Sequence, residues 1–167
     1  FYDNMLMGMN VMEAARPVEP LDPYYLKHGG PYRQPKIVMV GTVCSYPKHA
    51  KVPFKERGLW DGFPEETNSA YGVAKRALIT MAQAYRQHYR MNIITLIPAN
   101  LYGPGDNFDL ETSHVIPAMI RKFVDAQESG AESVALWGTG RPTREFLYVA
   151  DCVDGLIAAA EMYDDGD

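Results

Sequence analysis

Nothing in this sequence has metal-binding spacing. It contains no CxxC and no HExxH, and His28, His49, His88 and His114 are scattered along the chain, so no metal centre is expected. Two cysteines, Cys44 and Cys152, are too few for a disulfide framework, and a reducing, cytoplasmic compartment is the expectation. No apolar run approaches the roughly 20 residues that a bilayer requires, so no membrane association is expected. The opening Phe1-Tyr2-Asp3-Asn4 has no basic segment ahead of an apolar one, and no secretory signal is expected. It also carries no initiator Met, which reads as an internal start. The formal net charge of -5 leaves no basic footprint for nucleic acid. Internal repeats and low-complexity segments are lacking as well. One further absence bears on fold. A dinucleotide-binding domain usually opens with a strand, a Gly-rich turn and a helix that seats a pyrophosphate. No GxGxxG or GxxGxxG occurs, so the chain is either the later part of such a fold or a different one.

The 167 residues are 47% apolar, enough for a real core. Residues 2–15 have helical periodicity, with Met5, Met9, Met12 and Ala15 on one stripe, and Pro17 is expected to stop that helix. Residues 17–35, rich in Pro, Gly and Tyr, read as a long loop. Residues 36–41 and 93–97 are short apolar runs of the kind found in buried parallel strands. The helix expected between them, at about 69–90, carries Val73, Ala74, Leu78, Met81, Ala82 and Tyr85 on one face. Residues 45–68 and 99–112 read as loops. A helix is expected at 114–127 with Ile116, Met119, Ile120 and Phe123 inward, brief strands at 134–136 and 146–149, and a last helix at 150–163. The terminus at 164–167 is acidic and expected to be solvated. Strands alternating with helices predict an α/β fold with a largely parallel sheet.

Tyr71 and Lys75 stand four apart at the start of the long helix, which puts both side chains on one face. A lysine ammonium beside a phenol favours the phenolate and makes the phenol a usable proton donor or acceptor. The pair alone is weak evidence, because YxxxK arises often by chance in a tyrosine-rich chain. Thr42 follows the C-terminal end of the first predicted strand, where open α/β sheets bind ligands. A hydroxyl there can hydrogen-bond a substrate oxygen. Cys44 follows Thr42 by two residues, and on an extended chain such residues share a face. Taken singly, Cys44 reads as a small core residue, His114 as a residue at a helix start, and Cys152 as core.

The segments Gly41-Thr42-Val43-Cys44-Ser45-Tyr46-Pro47-Lys48, Glu66-Thr67-Asn68-Ser69-Ala70-Tyr71-Gly72-Val73-Ala74-Lys75 and Asn100-Leu101-Tyr102-Gly103-Pro104-Gly105-Asp106-Asn107-Phe108 resemble those of GDP-L-fucose synthases. These enzymes belong to the extended short-chain dehydrogenase/reductase family. Ser113 to Ala118, Trp137 to Gly140 and Arg144 to Asp151 continue the likeness in family order. YxxxK is shared across the superfamily, whereas the NLYGP and SHVIPA segments are far more specific. Thr42 stands where Ser is commoner in the family.

The resemblance implies a partial Rossmann-like, doubly wound parallel sheet that lacks the N-terminal Gly-rich βαβ unit. Residues 1–112 would form the C-terminal part of the dinucleotide-binding domain, 113–146 part of a substrate region, and 147–167 a returning helix. It also implies the chemistry of an NADPH-dependent 3,5-epimerase-4-reductase. Tyr71 would be the general acid, Lys75 would hold the nicotinamide ribose, and Thr42 would supply the hydroxyl. Cys44 and His114 would be the epimerisation pair, and Asn4 looks like the superfamily's helix Asn. Val40, Gly41, Thr42, Val43, Tyr71, Lys75, Pro98, Ala99, Asn100, Leu101 and His114 would line NADP, with NAD left open. Lys122, Trp137 and Arg144 would meet a GDP-sugar, since cations pair with phosphate and aromatics stack on bases. A homodimer through a four-helix bundle is implied too. Another nucleotide-sugar epimerase or dehydratase remains an alternative, as does a non-catalytic fragment or scaffold subunit that retains the fold.

Overall fold

The computed structural model describes residues 1–16 and 35–163. The expected loop at 17–35, apart from Pro35, lies outside the described residues, as do Pro17 and the acidic terminus. The chain divides into two compact units, Phe1–Pro98 with Gly155–Asp167, and Ala99–Asp154.

In the first unit, β1 (Ile37–Val40) and β2 (Ile93–Leu96) pair in parallel, with Ile37 opposite Ile93 and Val40 opposite Leu96. The expected pairing of these two runs is therefore observed. Two parallel strands require a crossover, and here it contains the long helix α2 (Ser69–Tyr89). Leu78 and Ala82 project from one face of α2, four residues apart, and join Met12, Met91 and Ile93 in the main core. Ile93 is 1% exposed and Met12 is 2% exposed, and full burial of side chains this size contributes about 1.5–3 kcal/mol each. A second cluster of Tyr46, Leu59 and Ile79 packs on the other side of Met39. It rests on residues 45–68, expected to be plain loop, which instead contain a 3-10 helix at Glu56–Trp60 and follow directly on another at Val43–Ser45.

Helix α1 (Tyr2–Ala15) presents a different stripe from the one expected. Met5, Met12 and Ala15 meet the core, but Gly8 occupies the place assigned to Met9, which is 39% exposed. A Cβ on Gly8 would lie 2.6 Å from Leu78 Cδ2. The missing side chain lets α1 close on α2, and a hydropathy stripe does not register that contact.

In the second unit, β3 (Asn100–Tyr102) pairs in parallel with β4 (Phe146–Tyr148). The segment 99–112 thus contains a strand where only loop was expected. The run at 134–136 forms no ladder among the described residues, which corrects the expectation of a strand there. Helix α3 (Val115–Ser129) ends on Gly130 at φ 69°, the left-handed conformation that glycine adopts without a Cβ penalty. Its apolar stripe is only partly covered. Pro117 is buried and Ile116 half-buried, but Met119, Ile120 and Phe123, expected inward, are exposed. The final helix, α4 (Val149–Met162), begins within the run expected to close the last strand.

Tyr85 on α2 donates its phenolic hydrogen to Glu13 Oε1 on α1, and Arg16 Nε binds the same carboxylate at 3.0 Å. These bonds hold Glu13 below the usual carboxylate range. The Tyr85 phenol is pushed up to about 12, chiefly because its ionisation would break the bond to Glu13. An unfolded tyrosine titrates near about 10. The stabilisation from Tyr85 is therefore complete below about pH 10 and is lost as pH rises through about 12. Burial also raises the Tyr46 phenol, so spectrophotometric titration of tyrosinate should reveal late-ionising phenols, and Tyr85→Phe should remove the one held by Glu13. An unchanged alkaline titration in that variant would refute the assignment.

Candidate active site

The candidate site in the first unit begins where β1 runs out. Gly41 N–H donates to Leu96 O at 2.7 Å, which prolongs the ladder by one residue. A Cβ on Gly41 would stand 2.9 Å from Ile97 Cγ1, so a larger residue here would require the Ile97 side chain to shift. Thr42 stays extended, at φ -153° and ψ 145°, and caps the 3-10 helix Val43–Ser45 by accepting from Cys44 N–H at 3.2 Å. Thr42 and Cys44 are therefore associated through a cap. The expectation that an extended chain would place them on one face does not hold, because extended geometry ends at Thr42. The cap uses a lone pair of Thr42 Oγ1, and the hydroxyl keeps its proton for donation. Cys44 is a free, half-buried thiol.

Tyr71 and Lys75 project from the first two turns of α2. Tyr71 is 38% exposed. Lys75 Nζ donates to Val40 O at 3.0 Å and lies 5.9 Å from the centre of the Tyr71 ring, at the outer limit of a cation–π contact. The ammonium thus lies between the Tyr71 ring and the strand end, with two of its three hydrogens left to donate. Of the other expected cofactor residues in this unit, Val40 is exposed, Gly41 buried, and Val43 and Pro98 half-buried. Asn4, in the first turn of α1, is half-buried.

Three contacts dock α2 onto the 3-10 helix. A Cβ on Gly72 would lie 2.4 Å from the Cys44 carbonyl oxygen, so only glycine permits this approach without movement. Ser45 Oγ, fully buried, donates to Gly72 O at 3.2 Å. Arg76 Nε donates to Ser45 O at 2.5 Å. Sequence reasoning passed over Arg76, Gly72 and Ser45. Gly72 lies inside the YxxxK motif and Arg76 directly follows it, but no spacing rule marks a glycine or arginine that acts on a distant carbonyl.

The second unit places the remaining expected residues. Asn100 Nδ2 donates to Glu145 O at 2.9 Å, linking the ends of β3 and β4. Ala99 is half-buried and Leu101 is 41% exposed. His114 is exposed at the N-cap of α3, and its side chain makes no cap bond. The structure brings Lys122 and Trp137 together, with Nζ 4.5 Å from the ring centre and 3.3 Å from Ala135 O. Trp137 is 81% exposed, so its outer face is free to stack. Arg144 uses Nη1 on Thr143 O at 2.8 Å. A cavity of about 340 Å³ in this unit is lined mainly by Tyr102, Phe108, Ile116, Ile120 and Tyr148, with Asp106. None of the expected site residues lines it. Among the described residues, no cluster of His, Cys, Asp or Glu could hold a metal ion, and no helix is long and apolar enough to cross a membrane.

A parallel β–α–β arrangement with a hydroxyl at the strand end, and a tyrosine and lysine on the helix opposite it, defines an α/β protein of the short-chain dehydrogenase class. Within that class the chain belongs to the NAD dependent epimerase/dehydratase family, whose family model matches residues 1–167. It is 41% identical over 164 residues to a GDP-L-fucose synthase of Sinorhizobium fredii, a match that covers 97% of this chain and 47% of the relative. A GDP-L-fucose synthetase from Naegleria fowleri, solved bound to NADP, superposes with a TM-score of 0.76 at 28% identity, over 98% of this chain and 49% of that one. A GDP-mannoheptose C4 reductase from Campylobacter jejuni, with NADP bound, gives 0.77 at 29% identity, over 98% and 53%. The chain spans about half the length of the relatives it matches.

The close approach at Gly72 yields a direct test. Gly72→Val would drive a branched side chain into the Cys44 carbonyl, and strain of this kind costs about 1–3 kcal/mol. Chemical denaturation should register that loss. A variant as stable as the parent would mean that α2 does not seat on the 3-10 helix as described.

Proposed function

We propose that this chain carries the tyrosine–lysine part of an NADPH-dependent 3,5-epimerase-4-reductase, which converts GDP-4-keto-6-deoxy-D-mannose to GDP-L-fucose. The supporting observation is the opening of α2, where Lys75 links the Tyr71 ring to the strand end that carries Thr42 and Cys44. In this reading residues 1–112 belong to the dinucleotide-binding domain, 113–146 to the substrate region, and 147–167 to the returning helix.

The groups present suit a nicotinamide ribose. After its bond to Val40 O, the Lys75 ammonium retains two donors for sugar hydroxyls. Val40 to Val43, Pro98 to Leu101 and His114 are each proposed as cofactor-lining residues, with Asn4 in support. When bound, a reduced nicotinamide supplies the hydride for C4. Tyr71 donates its phenolic proton to the C4 oxygen, and the Lys75 charge compensates the phenol oxygen once the proton has left. Thr42, with its lone pair committed to Cys44 N–H, donates its hydroxyl hydrogen to the same ketone oxygen. The hydrogens at C3 and C5 are both α to that ketone and can be removed by a placed thiolate or imidazole. Inversion requires one group to take the proton and another to return one to the opposite face. Cys44 and His114 are assigned these roles. Lys122, Trp137 and Arg144 hold the GDP portion, with cations on phosphate and the exposed indole against the base.

A reductase that does not epimerise is the second reading, favoured by the likeness to the C4 reductase. Mass spectrometry of the intact protein with GDP-4-keto-6-deoxy-D-mannose and NADPH in deuterium oxide separates the two. Cys44→Ser should suppress deuterium entry at C3 and C5 while sparing ketone reduction. Tyr71→Phe should do the reverse, each by roughly 10²–10⁴-fold. Native exchange in Cys44→Ser would remove the assignment of Cys44, and an unaltered protein that reduces the ketone without deuterium entry at C3 and C5 would leave the reductase.

The proposal extends to assembly and location. Tyr2, Leu6, Met7 and Val11 leave an exposed apolar face on α1, suited to a homodimer built on α1 and α2. Light scattering of the intact protein should give twice the monomer mass, and a monomer would contradict the assembly. The free thiols Cys44 and Cys152 suit a reducing cytoplasm.

A further inference from the structure

Arg76 follows Lys75 directly, and the two cations leave α2 in different directions. Lys75 ends on Val40 O at 3.0 Å. Arg76 Nε ends on Ser45 O at 2.5 Å, and its Nη1 reaches Gly62 O at 2.7 Å. The guanidinium lies 5.9 Å from the centre of the Trp60 ring. Its Nη2 is buried with no hydrogen-bond partner among the described residues. Val40 and Ser45 bracket the segment that holds Thr42 and Cys44. That segment is therefore pinned at both ends by charge-assisted bonds from one helix, the helix that carries Tyr71. Arg76 as a whole is half-buried, but a buried Nη2 with no partner costs stability, and partial desolvation lowers the pKa of Arg76. The fold accepts this cost in exchange for a fixed 3-10 helix.

We propose that Arg76 is a positioning residue of the site: it sets the place of Cys44 relative to Tyr71 by holding the Ser45 carbonyl. Its significance for catalysis rests on the assignment of Cys44 as an epimerisation group, whereas its structural effect can be read without any substrate. Arg76 touches neither substrate nor cofactor in this account and acts only through the 3-10 helix. A glutamine at this position cannot reach both carbonyls. A lysine keeps the charge and satisfies one carbonyl at a time, because an ammonium lacks the fork geometry.

The test compares Arg76→Gln and Arg76→Lys with the parent chain. Alkylation of each cysteine by iodoacetamide is followed by peptide mass spectrometry, alongside thermal melting. Loss of a charge-assisted bond should loosen the 3-10 helix and speed Cys44 modification by about tenfold in Arg76→Gln. Arg76→Lys should fall between, and the buried Cys152 should react as in the parent. If Arg76→Gln fails to fold, the same comparison is made with Arg76→Lys. Cys44 modified at the parent rate overturns the proposal, whatever the substrate is. Equal acceleration of Cys44 and Cys152 with a lowered melting point also overturns it, because Arg76 would then be a general fold residue. In the intact protein, Arg76→Gln should slow deuterium exchange at C3 and C5 by roughly 10–100-fold through kcat, with little change in KM. If Cys44 loosens as expected but Cys44→Ser exchanges at the native rate, the positional role survives and the assignment of Cys44 as an epimerisation group fails.

Discussion

Helix α2 meets the end of β1 at a distance that only a glycine allows. The Cys44 carbonyl occupies the space that a Cβ on Gly72 would need, and much of the first unit follows from that contact. It fixes the height at which α2 crosses the strand end, and so fixes where the two turns bearing Tyr71 and Lys75 begin. It also makes the 3-10 helix part of the helix–strand interface, although its neighbours in sequence are loop. Ser45 sits fully buried in that interface with its hydroxyl bonded to Gly72 O, as a buried polar group must be. A few residues further along α2, Leu78 and Ala82 carry the same approach into the main core. The site and the core are therefore two ends of one packing surface.

The same surface explains why α1 is held so closely. Gly8 does for α1 and α2 what Gly72 does for α2 and the 3-10 helix: each removes a side chain where two elements would collide. At Gly8 the neighbour is the end of a leucine side chain, which can turn aside. At Gly72 the neighbour is backbone, which cannot move without moving the strand end. The tolerance of the two glycines to substitution should differ accordingly, and only the second bears on chemistry.

Much of this was legible in the sequence, and what was missed has a physical pattern. The runs at 36–41 and 93–97 are apolar on both faces, and the helix between them has a strong period, so the parallel pair and α2 could be read directly. The places of Tyr71, Lys75 and Thr42 at helix and strand ends were legible too, because they follow from where those elements begin and stop. Strand β3 was not, because three residues give no alternation and its partner β4 lies far downstream. The 3-10 helix at Val43–Ser45 was hidden for a related reason. It depends on a threonine cap and a carbonyl-binding arginine, neither of which changes the hydropathy pattern. For α3 the period was right but the inward face was not, since Met119, Ile120 and Phe123 stay exposed while Pro117 is buried.

The adjacency of Lys75 and Arg76 shows how two cations in sequence serve different ends. Lysine is a compact charge on a flexible stem with three equivalent donors. At position 75 one donor suffices to anchor it on Val40 O, and the rest of its capacity stays available beside the Tyr71 ring. Arginine is a rigid fork whose donors diverge in a plane. At position 76 that fork reaches Ser45 O and Gly62 O together, carbonyls from separate stretches of the chain that no single ammonium could hold at once. Exchanging the two residues would leave net charge and helix propensity almost unchanged. It would nonetheless place the inflexible group beside the Tyr71 ring, and the adaptable group where the backbone needs a brace. The order lysine then arginine is thus a geometric requirement of this strand end.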